Sequence, residues 1–192
     1  MNTAAPTVLL VVASRHGATS GIGLAIADRL SERGLRTITV TPDDVIDALD
    51  ADADADADAD VVDAVIVGSA VYLGHWLKPA VQFLEQHAGA LHRRPVWLFS
   101  SGPLNDHPQA LEGLDAPYVQ HLLDMSGARE HRGFPGCLDW RSLGPVEAFV
   151  AHAVHAPGGD HRDWSEIRGW ADRIAADLSG GSGGSGDTAT AA

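Results

Sequence analysis

Short apolar runs alternate with amphipathic segments along most of this chain. Most of the runs are rich in Val, Ile, Leu and Phe, which is typical of strands buried on both faces of a sheet. The predicted strands cover residues 7–13, 35–41, 61–67, 95–99 and 128–134. The intervening segments place apolar side chains at helical spacing. The predicted helices cover residues 18–33, 42–49, 77–90, 118–125, 145–155 and 164–178.

This alternation of strands and helices predicts a parallel sheet, because helical crossovers must cover both faces of such a sheet. The predicted fold class is therefore α/β, with a doubly wound five-stranded sheet of order 2-1-3-4-5. In that order, the loops after strands one, three and four meet at one edge of the sheet. Ligands of open α/β sheets bind at this edge.

The length of 192 residues is consistent with one domain, which we predict to span residues 1–178. Within it, residues 50–60 alternate Asp and Ala, and six carboxylates with nothing larger than Ala to bury predict a solvated loop. Residues 141–162 form an insert before the last helix. Residues 179–192 are dominated by Gly, Ser, Thr and Ala, which predicts a disordered tail.

The net charge of −13 argues against nucleic acid and anionic membrane surfaces as partners. No apolar run is long enough to predict a transmembrane segment, and the first six residues do not resemble a secretory signal. A single cysteine, Cys137, excludes an internal disulfide. These features predict a cytoplasmic protein, with peripheral membrane association disfavoured by the acidic charge.

The loop at residues 14–19 follows the first strand and precedes the first helix, so it can direct backbone N–H groups at a phosphate. Two patterns overlap there. Gly17, Gly21 and Gly23 resemble the G-x-x-x-G-x-G dinucleotide loop of short-chain dehydrogenases. The same loop is similar to the T/S-x-T-G-x-T loop of flavodoxins, which binds flavin mononucleotide (FMN), although His16 replaces the middle Thr.

The other two loops at the predicted edge favour the flavin interpretation. Residues 68–76 combine small residues with Tyr72 and Trp76, whose rings could stack on a flat tricycle, and residues 100–105 are small and polar. Trp76 could instead be a buried anchor at the start of a helix, and His75 is a loop histidine that could also steer a proton. The predicted FMN-binding residues are Ser14, Arg15, His16, Gly17, Ala18, Thr19, Ser69, Ala70, Val71, Tyr72, Leu73, Gly74, Trp76, Ser100, Ser101 and Gly102.

The dehydrogenase interpretation lacks further support in the sequence. That family requires Tyr-x-x-x-Lys, but Tyr72 is followed at this offset by Trp76 and Tyr118 by Leu122. The Asn-Asn-Ala-Gly motif of the family is also missing. No metal site is predicted, since His152 and His155 stand three residues apart without a cysteine or a fixed carboxylate motif beside them. No catalytic side chain is assigned.

Three longer stretches, residues 13–17, 68–80 and 96–103, resemble a bacterial group of flavodoxin-domain proteins related to the menaquinone-dependent protoporphyrinogen oxidase family. The resemblance runs from about residue 8 to residue 178. It implies a flavodoxin-like fold, FMN, and oxidation of protoporphyrinogen IX with a quinone acceptor. The insert is less basic than in those oxidases. The alternatives are an electron-transfer protein serving small-molecule or protein redox partners, and a binding module that has lost flavin.

Overall fold

The computed structural model describes residues 5–45, 49, 62–102, 114–138 and 159–180. The strands are β1 (Thr7–Ala13), β2 (Arg36–Val40), β3 (Ala64–Tyr72), β4 (His75–Trp76), β5 (Val96–Gly102), β6 (Glu130–Pro135), β7 (Cys137–Leu138) and β8 (Gly159–Asp160). The helices are α1 (Ala18–Glu32), α2 (Lys78–Leu91), α3 (Ala116–Ser126) and α4 (Trp164–Gly180), with a 3₁₀ turn at Pro42–Asp44.

Five of these strands form one parallel sheet in the order β2-β1-β3-β5-β6, which confirms the predicted doubly wound order. β4 pairs antiparallel with the end of β3, and β7 pairs antiparallel with β8 outside the main sheet. In this order, parallel strands that follow one another along the chain are joined through helices that pack back onto the sheet.

Helices cover both faces of the sheet. Successive strand residues point to opposite faces, so Leu10 lies in one apolar cluster and Leu9 in the other. α1 and α4 complete the first cluster, in which the rings of Phe99, Phe134 and Trp170 meet at centroid distances of 5.6 to 6.2 Å. α2 and α3 complete the second cluster.

Two of the predicted strands were too short. β3 continues to Tyr72, five residues beyond the predicted end, and β5 continues to Gly102 rather than ending at residue 99. The polar and small residues at these strand ends pair with neighbouring strands as the apolar residues do, which a hydrophobic pattern alone does not reveal. Likewise, α4 extends to Gly180, so residues 179 and 180 are helical rather than part of a tail.

Other predictions fall partly or wholly outside the described residues. These are the Asp/Ala loop at 50–60, the apolar helix at 145–155 with most of its insert, residues 103–105 of the third loop, and the tail from residue 181 onward. Of the short helix predicted at 42–49, the structure describes the 3₁₀ turn at Pro42–Asp44.

Candidate functional site

The carboxyl ends of β1, β3 and β5 lie side by side at one edge of the sheet. Ala13 of β1 pairs with Ser69 of β3, and Ser69 pairs in turn with Ser100 of β5. Parallel strands are about 4.8 Å apart, so the three predicted segments begin within two strand spacings of one another. The edge predicted from the strand order therefore exists.

The predicted site residues lie in the loop after β1, at the start of α1, in the hairpin formed by β3 and β4, and at the end of β5. The loop after β1 contains Ser14, Arg15, His16 and Gly17, and α1 begins with Ala18 and Thr19. The last residues of β3 are Ser69, Ala70, Val71 and Tyr72, and Leu73 and Gly74 form the turn before Trp76 in β4. The last residues of β5 are Ser100, Ser101 and Gly102.

The loop before α1 has the backbone that an anion site requires. Gly17 caps the helix with φ +83°, a conformation in which a residue with a Cβ is strained, and its N–H donates to Ser14 Oγ at 3.1 Å. The first turn of α1 contains no acidic residue. The N–H groups at the start of a helix and the positive end of its dipole favour a negative group there. Thr19 is buried beneath this turn.

Tyr72 lies next to this loop. The Arg15 guanidinium carbon is 5.5 Å from the centroid of the Tyr72 ring, within cation–π range. This contact joins the loop after β1 to the end of β3, although 57 residues separate the two along the chain. A partly exposed aromatic ring thus stands beside the helix N-terminus.

The turn after Tyr72 is a tight hairpin with an apolar tip. Leu73 and Gly74 both have positive φ, +49° and +77°, which matches the two-residue turns that join antiparallel strands. Leu73 is 81% exposed. A leucine in the left-handed region costs on the order of 1 kcal/mol, so this hairpin combines backbone strain with exposed apolar surface beside the Tyr72 ring.

Trp76 is buried, which favours the anchor interpretation over stacking on a ligand. Its side chain is 4% exposed, and Nε1 donates to Ser100 Oγ at 2.7 Å. The indole therefore fills the space between β4 and β5 instead of facing the edge. Ser69 has a similar structural role, because its Oγ accepts from the N–H of Leu77 at 3.0 Å and donates to the Ala70 carbonyl.

A buried hydrogen-bond chain continues from Trp76 to a histidine that sequence reasoning missed. Ser100 Oγ accepts from the indole and shares a second hydrogen bond with His131 Nε2, 2.7 Å away. Burial lowers the pKa of His131 to about 4, so the ring is neutral near pH 7. His131 lies in the most polar predicted strand. The run of Arg, Glu and His in this predicted strand was the sequence signal that a polar side chain would have to be buried against its neighbours.

Tyr118 of α3 is a second residue that the sequence analysis did not assign to the site. Its hydroxyl accepts from the N–H of Trp76 at 3.2 Å, and the exposed ring of His75 meets its ring edge-on at a centroid distance of 5.1 Å. Burial raises the pKa of Tyr118. Together with the Trp76 indole, this bond fixes the hairpin that carries Tyr72.

The glycines of the dinucleotide pattern have packing roles in α1. A Cβ on Gly23 would lie 2.8 Å from a methyl of Val12, so glycine lets the helix approach β1 closely. A Cβ on Gly21 would meet the Arg162 guanidinium at 2.5 Å. Neither glycine belongs to the loop that precedes the helix, whereas Gly17 does.

A basic side chain, Arg162, also contacts the first turn of α1. Arg162 binds both carboxylate oxygens of Asp160, stacks over Trp164 at 4.5 Å and lies 3.5 Å from the Ala18 carbonyl. The Arg162 partner lowers the pKa of Asp160 to about 2. The chain leaving the insert is thereby fixed against the first turn of α1.

The described residues also bear on two other classes of function. In those five ranges, no group of three or more His, Cys, Asp or Glu could hold a metal ion, and His152 and His155 lie outside them. None of the described helices is long and apolar enough to cross a membrane.

The flavodoxin domain family model matches residues 9–165. No curated protein matches the chain. Among solved structures, a flavodoxin from the domain Archaea is 14% identical with a TM-score of 0.57, over 90% of this chain and 99% of that one. A cysteine mutant of Pseudomonas aeruginosa flavodoxin is 16% identical with a TM-score of 0.55, over 90% and 99%. Rubredoxin oxygen:oxidoreductase from Desulfovibrio gigas is 15% identical with a TM-score of 0.58, over 94% of this chain and 38% of that one.

Proposed function

The chain belongs to the flavodoxin domain family, and from this premise we propose that it binds FMN at the carboxyl edge of β1, β3 and β5 and acts as a redox protein. The contact between Arg15 and Tyr72 is the observation that carries the proposal. This contact brings the N-terminus of α1, which favours an anion, close to a partly exposed aromatic ring. The phosphate of FMN needs the first environment, and its isoalloxazine ring needs the second.

Each part of the edge suits one part of the cofactor. The first turn of α1 and the 14–17 loop offer N–H groups to the phosphate, and Arg15 adds a positive charge beside them. Tyr72 offers a ring face to the isoalloxazine. The backbone ends of β3 and β5 offer donors and acceptors to the polar edge of the heterocycle. When bound, FMN supplies the hydride or one-electron chemistry, and the protein supplies position and electrostatics.

The finer proposal concerns the substrate. The resemblance to protoporphyrinogen oxidases supports oxidation of protoporphyrinogen IX with a quinone acceptor. In each cycle, two electrons and two protons would leave the porphyrinogen and convert the quinone to a quinol. The alternative is transfer of electrons between protein partners without substrate oxidation. The net charge of −13 supports this alternative, because it would attract a basic partner.

The test uses the purified full-length chain. Titration with FMN, followed by the flavin absorption spectrum and by calorimetry, should reveal one site per chain. Failure of FMN to bind would reject the redox proposal. The loaded protein is then mixed anaerobically with protoporphyrinogen. Bleaching of the flavin absorbance, reversed by a quinone, supports the oxidase. Flavin that is not reduced by porphyrinogen but exchanges electrons with a reductase supports the electron-transfer protein.

A further inference from the structure

The proposed flavin site is a basic region on an acidic chain. The whole chain has 26 Asp and Glu against 13 Lys and Arg, which gives the net charge of −13. The described segments at the carboxyl edge, residues 14–19, 69–78 and 100–102, contain no Asp or Glu. Their basic residues, all exposed, are Arg15, His16, His75 and Lys78. The charge of these segments is therefore opposite in sign to that of the chain as a whole.

Acidic side chains near the first turn of α1 belong to other elements. Arg162 binds both carboxylate oxygens of Asp160 and also approaches the Ala18 carbonyl, so this pair adds little net charge. Asp44, on the 3₁₀ turn after β2, accepts from the Thr41 hydroxyl at 2.6 Å. Because β1 lies between β2 and β3, Asp44 stands on the opposite side of the phosphate loop from the end of β3.

Arg15 is the basic residue that contacts the aromatic ring of the site. Its guanidinium carbon lies 5.5 Å from the centroid of the Tyr72 ring, the ring that we propose to stack on the isoalloxazine. A guanidinium stays charged at every pH at which proteins are studied. This contact therefore places a permanent positive charge beside the ring system as well as beside the phosphate loop.

The two ends of FMN respond differently to such a charge. Oxidised isoalloxazine is neutral, and uptake of two electrons and one proton at N5 leaves one negative charge on the reduced ring. The phosphate carries the same charge in both redox states. A cation that acts on the ring therefore binds reduced FMN more tightly than oxidised FMN, whereas a cation that acts on the phosphate binds both states equally.

We infer that Arg15 stabilises the anionic reduced form of the bound flavin and thereby raises its reduction potential. This inference rests on the proposed FMN site and assigns to one side chain the electrostatic control of that site. A flavin whose reduced form is stabilised is a stronger oxidant. Arg15 therefore favours acceptance of an electron pair from an organic substrate over donation of electrons at low potential.

Redox titration of the FMN-loaded full chain tests the inference, together with anaerobic measurement of the affinity for oxidised and for reduced FMN. Arg15→Gln should weaken the binding of reduced FMN about tenfold more than that of oxidised FMN, because an exposed charge is partly screened by water. For a two-electron couple, this ratio lowers the reduction potential by about 30 mV. Arg15→Lys keeps the charge and should recover most of this shift.

Arg93→Gln is the matched control, because it removes the same charge from the opposite end of the sheet. Arg93 is exposed and precedes β5, whereas the site lies at the carboxyl end of that strand. The seven residues of β5 span about 20 Å, which exceeds the Debye length of about 8 Å at physiological ionic strength. This variant should leave the reduction potential of the bound flavin unchanged.

The outcomes separate this inference from the function on which it rests. If Arg15→Gln weakens both redox states equally and leaves the potential unchanged, Arg15 acts on the phosphate alone and the inference is overturned, while FMN binding stands. An equal shift in Arg93→Gln would also overturn it, since the net charge would then be the cause. A wild-type chain that binds no FMN would overturn both. Both arginines are exposed, and thermal unfolding checks that the variants remain folded.

Discussion

Gly17 and Gly34 form a matched pair that isolates the role of the phosphate loop. Both adopt the left-handed conformation, with φ +83° and +86°, and a Cβ on either residue would have no heavy atom within 4 Å. They flank the two ends of α1, Gly17 before its first residue and Gly34 two residues after its last. An alanine at either position therefore introduces the same backbone strain and no clash.

The stability cost should be the same for both variants. A residue with a Cβ in the left-handed region costs roughly 1–2 kcal/mol, and alanine recovers about 0.4–1 kcal/mol by restricting the unfolded chain. The net loss is about 1 kcal/mol for Gly17→Ala and for Gly34→Ala. In a protein of this size that corresponds to a fall of about 2–4 °C in the midpoint of thermal unfolding.

Only Gly17→Ala should weaken FMN binding. A Cβ in this strained conformation would displace the peptide that presents N–H groups at the start of α1. A hydrogen bond to a charged group contributes about 1.5–3 kcal/mol, so loss of one such bond weakens binding at least tenfold. Riboflavin lacks the phosphate, and its affinity should be the same for both variants and the wild type. Calorimetry with the two ligands measures the difference.

The reasoning would be refuted by equal FMN affinities in the two variants. It would also fail if Gly17→Ala weakened riboflavin as much as FMN, since the loop would then affect the site generally and not through the phosphate. Midpoints of thermal unfolding that differ by more than a few degrees would show that the two glycines are not matched in strain.

Three further predictions concern residues around the same edge. The free energy of unfolding should fall by about 2 kcal/mol from pH 7.5 to pH 5 through His131, because its folded-state pKa of about 4 lies below the unfolded value and the unfolded state binds more protons in this window. Urea unfolding of His131→Gln should lack this fall. The control His121→Gln, at an exposed histidine, should retain it. Tyr72→Phe should keep FMN affinity within about threefold and Tyr72→Leu should weaken it about tenfold in calorimetry, because ring stacking contributes about 0.5–1.5 kcal/mol beyond burial. Trp76→Phe should lower the free energy of urea unfolding by about 1–3 kcal/mol, because it leaves Ser100 without its indole donor and opens space in the core; no loss of stability would contradict the anchor role.

The boundaries of the candidate site show how far local sequence reasoning reaches. The helix start at Ala18 and the loop before it could be predicted, since the apolar run, the small residues and the amphipathic segment are all local signals. The ends of β3 and β5 could not, because they depend on pairing with other strands. Ser69 and Ala70 pair with residues of β5 that lie 31 positions away, the last residues of β3 pair with β4 in the hairpin, and the end of β5 pairs with β6. The same limit applies to Trp76, whose burial depends on Ser100 and His131.

Sequence by itself determined the five strands of the main sheet, their doubly wound order and the position of the glycine that begins α1. Each of these follows from periodicity or from the conformational demands of a single residue, which are properties of short segments. Tertiary structure alone decided which polar groups face the edge and which are buried. It turned Trp76 inward and placed Arg15 over Tyr72. Those outcomes depend on side chains distant in sequence, whose packing and hydrogen bonds compete for the same space and cannot be evaluated one segment at a time.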